Sequence, residues 1–251
     1  MKQPDGLLER TGGSLSEGQT LENASDCTKF PEEQSRALIF DLNGTMINDM
    51  EYHLTAWYNI LNADLNAGLS REEVRSHMYG KNEELLDRIF GKGHFTQEEV
   101  FEISKEKETR YQEAFRPHLQ LIAGLPDLLQ KAGERHIKMA IGSAAIPFNI
   151  DFILDNLSIR HHFQAIVSAD DVTVSKPHPE TFLKAADLLE VAAPGCLVFE
   201  DAPKGVEAAL NAGMRCVVLT TMHDKDEFRD YPNIVRFVDD YTDVSLRELF
   251  S

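Results

Sequence analysis

Short apolar runs recur along this chain, and each stops at a polar residue. Ala37-Leu38-Ile39-Phe40 ends at Asp41, Ile137 to Ile141 at Gly142-Ser143, Ala165 to Val167 at Ser168, Leu197 to Phe199 at Glu200-Asp201, and Cys216 to Leu219 at Thr220. Runs of this length, bounded by turn residues, predict strands buried on both faces. Stretches with helical spacing lie between them, at Pro126 to Arg135, Pro147 to Asn156, Pro179 to Glu190 and Pro203 to Ala212, and proline suits the first turn of each. Strand alternating with helix predicts an α/β fold on a parallel sheet, in which ligands bind beyond the carboxyl ends of the strands. Asp41, Ser143 and Asp201 are all expected there.

Two segments depart from that alternation. From about Glu51 to Phe115 only helical spacing is evident (Leu54, Trp57, Tyr58, Leu61, then Leu85, Leu86, Ile89), which predicts a helical cap over 51–115 inserted into a core formed by 36–50 and 116–251. Such a cap would put the site in a cleft that can exclude water. Residues 1–35 are rich in Gly, Ser, Thr, Glu and Gln with no sustained apolar period, and are expected to form a disordered tail.

Composition narrows the function. With 251 residues, 42% of them hydrophobic, the chain can bury a sizeable core, and its net charge of −17 disfavours nucleic acid as a partner. No apolar stretch is long enough to span a bilayer and no basic-then-apolar leader opens the chain, so no membrane partner and a cytoplasmic location are expected. Cys27, Cys196 and Cys216 lack metal-type spacing and read as reduced structural thiols.

The candidate chemistry sits at the strand ends. A carboxylate can attack phosphorus only if its charge and the phosphate's are screened, so a cation must lie between them. Asp41 and Asp201, with Glu200 nearby, offer hard oxygen ligands for an octahedral Mg²⁺. Lys176 would offset charge on the nucleophile and the phosphoryl oxygens, while the Ser143 hydroxyl and the neighbouring amide at Ala144 would donate to those oxygens. Gly44 permits a tight turn after Asp41, and Thr45 can brace it or meet the phosphate.

Asp41-Leu42-Asn43-Gly44-Thr45 after an apolar strand, then Ser143, Lys176 in Ser175-Lys176-Pro177, and Glu200-Asp201-Ala202-Pro203-Lys204-Gly205 resemble, in order and spacing, the haloacid dehalogenase superfamily. The resemblance covers most of the chain after the tail. It implies a Rossmann-like core, Asp41 as a nucleophile that becomes an aspartyl-phosphate, and a Mg²⁺ held by Asp41, Glu200, Asp201 and the main-chain carbonyl of Asn43. Glu51-Tyr52-His53 and Ala56-Trp57 further resemble the β-phosphoglucomutase group and its sugar-phosphate phosphatase relatives, in which the matching histidine lies at the hinge beside the site. His53 is accordingly expected either to hydrogen-bond the acid/base residue or substrate, or simply to pack on the first cap helix.

Two positions break the family pattern. The second carboxylate of the signature, which in this family handles the leaving-group proton, is Asn43 here; an amide cannot ionise, and general acid/base catalysis is typically worth roughly 10²–10⁴-fold. In the cap, the arginine that meets a distal phosphate in the mutase is replaced by Glu83, expected to repel a phosphate, with Lys81 as the nearest cation. The expected function is Mg²⁺-dependent hydrolysis of a small phosphorylated metabolite. A phosphohexomutase and a phosphate-ester-binding protein impaired by Asn43 are the alternatives; a phospho-accepting receiver domain is disfavoured by the cap and by the Gly44-Thr45 turn.

Overall fold

The computed structural model describes residues 37–250, so the expected tail and Cys27 lie outside the described residues. Six strands, β1 (Ala37–Phe40), β2 (Lys138–Gly142), β3 (Ala165–Val167), β4 (Cys196–Glu200), β5 (Arg215–Leu219) and β6 (Ile234–Val238), form one sheet in the order β3-β2-β1-β4-β5-β6. Every pairing is parallel. Eight α-helices accompany them: α1 (Met50–Asn59), α2 (Arg71–His77), α3 (Asn82–Phe90), α4 (Gln97–Phe115), α5 (Leu125–Glu134), α6 (Pro147–Asn156), α7 (Glu180–Leu189) and α8 (Pro203–Asn211). The four predicted core helices fall within one residue of these bounds.

Side chains alternate across a strand, and both faces of this sheet are covered. Leu38, Phe40, Ile141, Leu197 and Phe199 pack with α5 and α6 on one face, and Ala37, Ile39, Ala140, Val198 and Cys216 with α7 and α8 on the other. Burial on both sides is the reason the strands read as unbroken apolar runs. Strand β6 departs from that signature: it is an edge strand, mostly half-buried, interrupted by Arg236 and irregular in register opposite Cys216 and Val217. An edge tolerates such a charge, so this strand has no apolar run to mark it.

Helices α1 to α4 form the cap, with an apolar centre of their own around Leu54, Trp57, Leu61, Val74, Leu85 and Leu86. Tyr111 and Phe115, at the end of α4, belong to the main core and tie cap to sheet. A π-helical turn at Ile60–Asp64 extends α1, a detail that periodicity does not mark. No helix among the described residues is long and apolar enough to cross a membrane. Cys196 and Cys216 are buried free thiols, and burial raises both above the ordinary thiol range.

The chain leaves β1 for β2 and β3 on one side and returns to β4 on the other. The crevice outside the carboxyl ends of β1 and β4 is therefore the switch point at which open α/β sheets bind ligands.

Candidate active site

The residue after β1, the end of β4 with the residue that follows it, and the loop before α7 bring four charged groups together. Lys176 Nζ donates to Asp41 Oδ1 and to Glu200 Oε1, both at 2.7 Å. Glu200 Oε2 accepts from the backbone N–H groups of Asp201 at 2.8 Å and Ala202 at 2.9 Å, so both of its oxygens are engaged. Asp201 Oδ1 accepts from the Thr45 hydroxyl at 3.0 Å. Thr45 is fully buried and does not line the cavity, which corrects its expected contact with substrate: its hydroxyl is spent on orienting Asp201.

Two glycines make this packing possible. At Gly44, φ is +75° and a Cβ would fall 2.1 Å from Asp201 Oδ2; at Gly205, a Cβ would fall 1.7 Å from Glu200 Oε1. The loop after β1 and the first turn of α8 must both lack a side chain for the two carboxylates to occupy their positions.

Asp41, Glu200 and Asp201 are thus buried carboxylates, and Lys176 pairs with the first two. Burial lifts Asp41 to about 7, with Lys176 pulling against it and Glu200 adding to it. Asp201 is raised well above the usual carboxylate range by burial, then by Glu200 and Asp41. Lys176 stays above its ordinary range because Asp41 and Glu200 outweigh its own desolvation. A divalent cation among these oxygens would cancel the excess negative charge. Among the described residues no three His, Cys, Asp or Glu side chains form a ready metal cluster. Carboxylate and main-chain oxygens are donors that suit a hard cation.

Above this floor lies a cavity of about 170 Å³. Ser143, at the end of β2, lines it; its Oγ accepts from the Ala145 N–H at 3.1 Å, which leaves the hydroxyl proton free to donate. Ala144 lines it as well. Asn43, His53, Lys81 and Lys176 complete the expected residues that reach the cavity, together with Asp41, Glu200 and Asp201.

The cap wall holds residues that sequence reasoning missed. His53 stacks on Tyr111 with ring centroids 3.7 Å apart; its Nδ1 lies 2.6 Å from Lys107 Nζ and its Nε2 3.0 Å from Asn43 Nδ2. Lys107 donates to both Glu108 oxygens at 3.0 Å. Glu108 also accepts from Asn82 at 2.8 Å and Asn149 at 2.6 Å, which fills its capacity. Burial raises Glu108, but Lys107, His53 and the two amides overcome that and hold it at about 2. The same burial lowers Lys107 despite the pairing. Adjacent charges on a long helix ordinarily read as a solvated face, so the sequence carried no signal for this pair.

Two cap expectations change. Glu83 is exposed, accepts from Gln97 Nε2 at 2.8 Å and does not line the cavity, so it cannot repel a bound phosphate there. Lys81 reaches the cavity, but its ammonium donates to the Val172 carbonyl at 2.6 Å, bridging cap and core. Lys204, on the first turn of α8, is a further lining cation that the sequence reading did not single out. Trp57 both packs in the cap centre and lines the cavity.

The chain matches the model of the haloacid dehalogenase-like hydrolase family over residues 38–219. It is 34% identical to β-phosphoglucomutase of Bacillus subtilis over 197 residues, spanning 72% of this chain and 82% of that one. Identity to the fructose-1-phosphate phosphatase YqaB of Escherichia coli is 30% over 188 residues, spanning 74% of this chain and 96% of the relative. Among solved structures, β-phosphoglucomutase from Clostridium difficile superposes with a TM-score of 0.73 at 27% identity, covering 84% of this chain and 93% of that one. CbbY from Rhodobacter sphaeroides with bound xylulose-1,5-bisphosphate gives 0.74 at 25%, covering 86% and 99%. With its signature loop, buried lysine and paired acids converging at the switch point of a capped parallel sheet, this chain belongs to the haloacid dehalogenase-like hydrolase family.

Proposed function

We propose that this protein is a Mg²⁺-dependent phosphatase that hydrolyses a small phosphorylated metabolite, most consistently a sugar phosphate, through an aspartyl-phosphate on Asp41. The observation that carries the reading is the buried arrangement of Asp41, Lys176, Glu200 and Asp201 at the floor of a capped cavity. The similarity to a fructose-1-phosphate phosphatase and to a validoxylamine A 7'-phosphate phosphatase of Streptomyces hygroscopicus supports phosphate esters of sugars or related polyols as substrates.

Asp41 Oδ2 is the oxygen not bonded to Lys176 and is the one available to attack phosphorus. Lys176 stabilises the charge that the phosphoryl oxygens develop, and the Ser143 hydroxyl with the amide of Ala144 donates to the same oxygens. Asp41, Asp201 and the Asn43 carbonyl would hold Mg²⁺; Glu200, its oxygens taken by Lys176 and two amides, aligns the lysine and the first turn of α8. When bound, the cation supplies screening between nucleophile and phosphate and polarises the phosphoryl oxygen. Expulsion of the alkoxide, which takes its proton from solvent, leaves the aspartyl-phosphate, and water then hydrolyses that to free Asp41 and inorganic phosphate. Asn43 cannot donate a proton to the departing oxygen, so esters with good leaving groups are penalised least.

Phosphate release requiring Mg²⁺ and lost in Asp41→Asn, across sugar phosphates, acyl phosphates and pyrophosphate, tests the proposal. Release that persists in Asp41→Asn would remove it. The similarity to β-phosphoglucomutase favours a second reading, a phosphohexomutase; interconversion of hexose phosphates that depends on a bisphosphate activator would establish it, and hydrolysis alone would exclude it.

A further inference from the structure

Asp49 stands directly before α1, where an aspartate ordinarily accepts from the first free amides of a helix. Its side chain makes no such bond. It turns back to the signature loop instead: Oδ2 accepts from Asn43 Nδ2 at 2.6 Å and from the Tyr111 hydroxyl at 2.5 Å, while Oδ1 accepts from the Gly44 N–H at 3.3 Å. His53 Nε2 lies 3.2 Å from the same Oδ2. Asp49 is fully buried and outside the cavity lining, whereas Asn43 lines the cavity. The carboxylate at 49 is therefore behind the amide at 43 as seen from the substrate.

A carboxylate only accepts, so its 2.6 Å contact fixes which end of the Asn43 amide faces it: the NH₂. An aspartate at 43 would put two carboxylates at that distance, one of them fully buried, where water screens them poorly. We propose that Asp49 is a positioning residue that locks the Asn43 amide and commits position 43 to an amide, the two positions acting as one unit. The inference rests on the phosphoryl-transfer reading above and deepens it. The amide at 43 is then held by a carboxylate that suits it, and the side chain presented at 43 orients a group in the cavity without moving its proton. Asn43→Asp alone cannot restore proton transfer, because the new carboxylate meets the old one. Exchanging both residues keeps one donor and one acceptor across the contact and leaves the carboxylate facing the cavity.

The test is a cycle of four proteins: the unchanged chain, Asn43→Asp, Asp49→Asn and the Asn43→Asp/Asp49→Asn double variant. Each is assayed for Mg²⁺-dependent phosphate release from fructose 1-phosphate, an ester with a poor leaving group, and for melting temperature. Asn43→Asp alone is expected to melt roughly 5 °C lower and to gain little in kcat. The double variant is expected to recover the melting temperature and to exceed the unchanged chain by about 100-fold in kcat rather than through KM. Overturning results are a full gain in Asn43→Asp alone, additive melting shifts, or a double variant that regains stability and no rate while the unchanged chain is active. If none of the four releases phosphate from fructose 1-phosphate and the unchanged chain is also silent on acyl phosphates and pyrophosphate, the phosphatase reading falls, and the melting cycle alone decides: non-additive shifts support the unit, additive shifts refute it.

Discussion

At the scale of single residues, the site is a problem of charge held in a small space. Among the described residues, Lys176 is the one cation in contact with both Asp41 and Glu200. Lys176→Met should cut kcat by roughly 10²–10³-fold, measured by steady-state phosphate release. It also leaves two buried carboxylates without their partner, so the melting temperature should fall as well. Gly205 tests the geometry of the same group. Its Cβ would lie 1.7 Å from Glu200 Oε1, and the carboxylate cannot swing aside cheaply because Lys176 and two amides hold it. Gly205→Ala is therefore expected to lower kcat at least ~10-fold, since Glu200 aligns the lysine that stabilises the transferring phosphoryl group. A variant with undiminished kcat would show that Glu200 has no aligning role.

At the scale of elements, α4 contributes a buried ion pair to a helix whose other charges face solvent. Glu108 accepts from α3 through Asn82, from α6 through Asn149 and from its neighbour Lys107. Its carboxyl falls from an ordinary value of 4.5 to about 2 in the folded chain. A lowered carboxyl stabilises the fold above its unfolded value, and that contribution is lost as pH falls from about 4.5 through about 2. Glu108→Gln should destabilise the protein by roughly 3 kcal/mol at neutral pH, because Lys107 loses its counter-charge. It should also flatten the acid limb of the stability curve. Urea titrations between pH 7 and pH 2 read both effects, and parallel acid limbs for the two proteins would contradict the assignment.

At the scale of the whole molecule, polar contacts join cap to core around the cavity. Lys81 on the cap donates to the Val172 carbonyl at 2.6 Å, and Gln112 donates to the Phe148 carbonyl at 3.2 Å and to Asn149 Oδ1 at 2.9 Å. Tyr111 and Phe115 anchor the end of α4 in the main core, so breaking the polar bonds would loosen the rest of the cap without unfolding the core. Lys81→Met should speed amide exchange in α3 while leaving β1 and β4 protected. Equal exchange in α3 of both proteins would show that the lysine does not restrain the cap.

Five of the six strands, the core helices and the strand-end acids are legible in the chain, because strands covered on both faces need continuous apolar runs and the turns that follow them need glycine and polar residues. The sequence also marked Asp41, Lys176, Glu200 and Asp201, which follow such runs or sit in short motifs. What surrounds them follows from packing. Strand β6 escaped notice because an edge position permits Arg236 in its middle. Thr45 turned out to serve Asp201, and Glu83 to face away from the cavity, because the direction of a side chain is set by packing and not by spacing. Asp49 and Lys107 are 58 positions apart in the chain and meet on opposite sides of His53 only when α1 packs on α4. No local pattern encodes that meeting, since a charge on a helix looks the same in sequence whether it faces water or a buried partner.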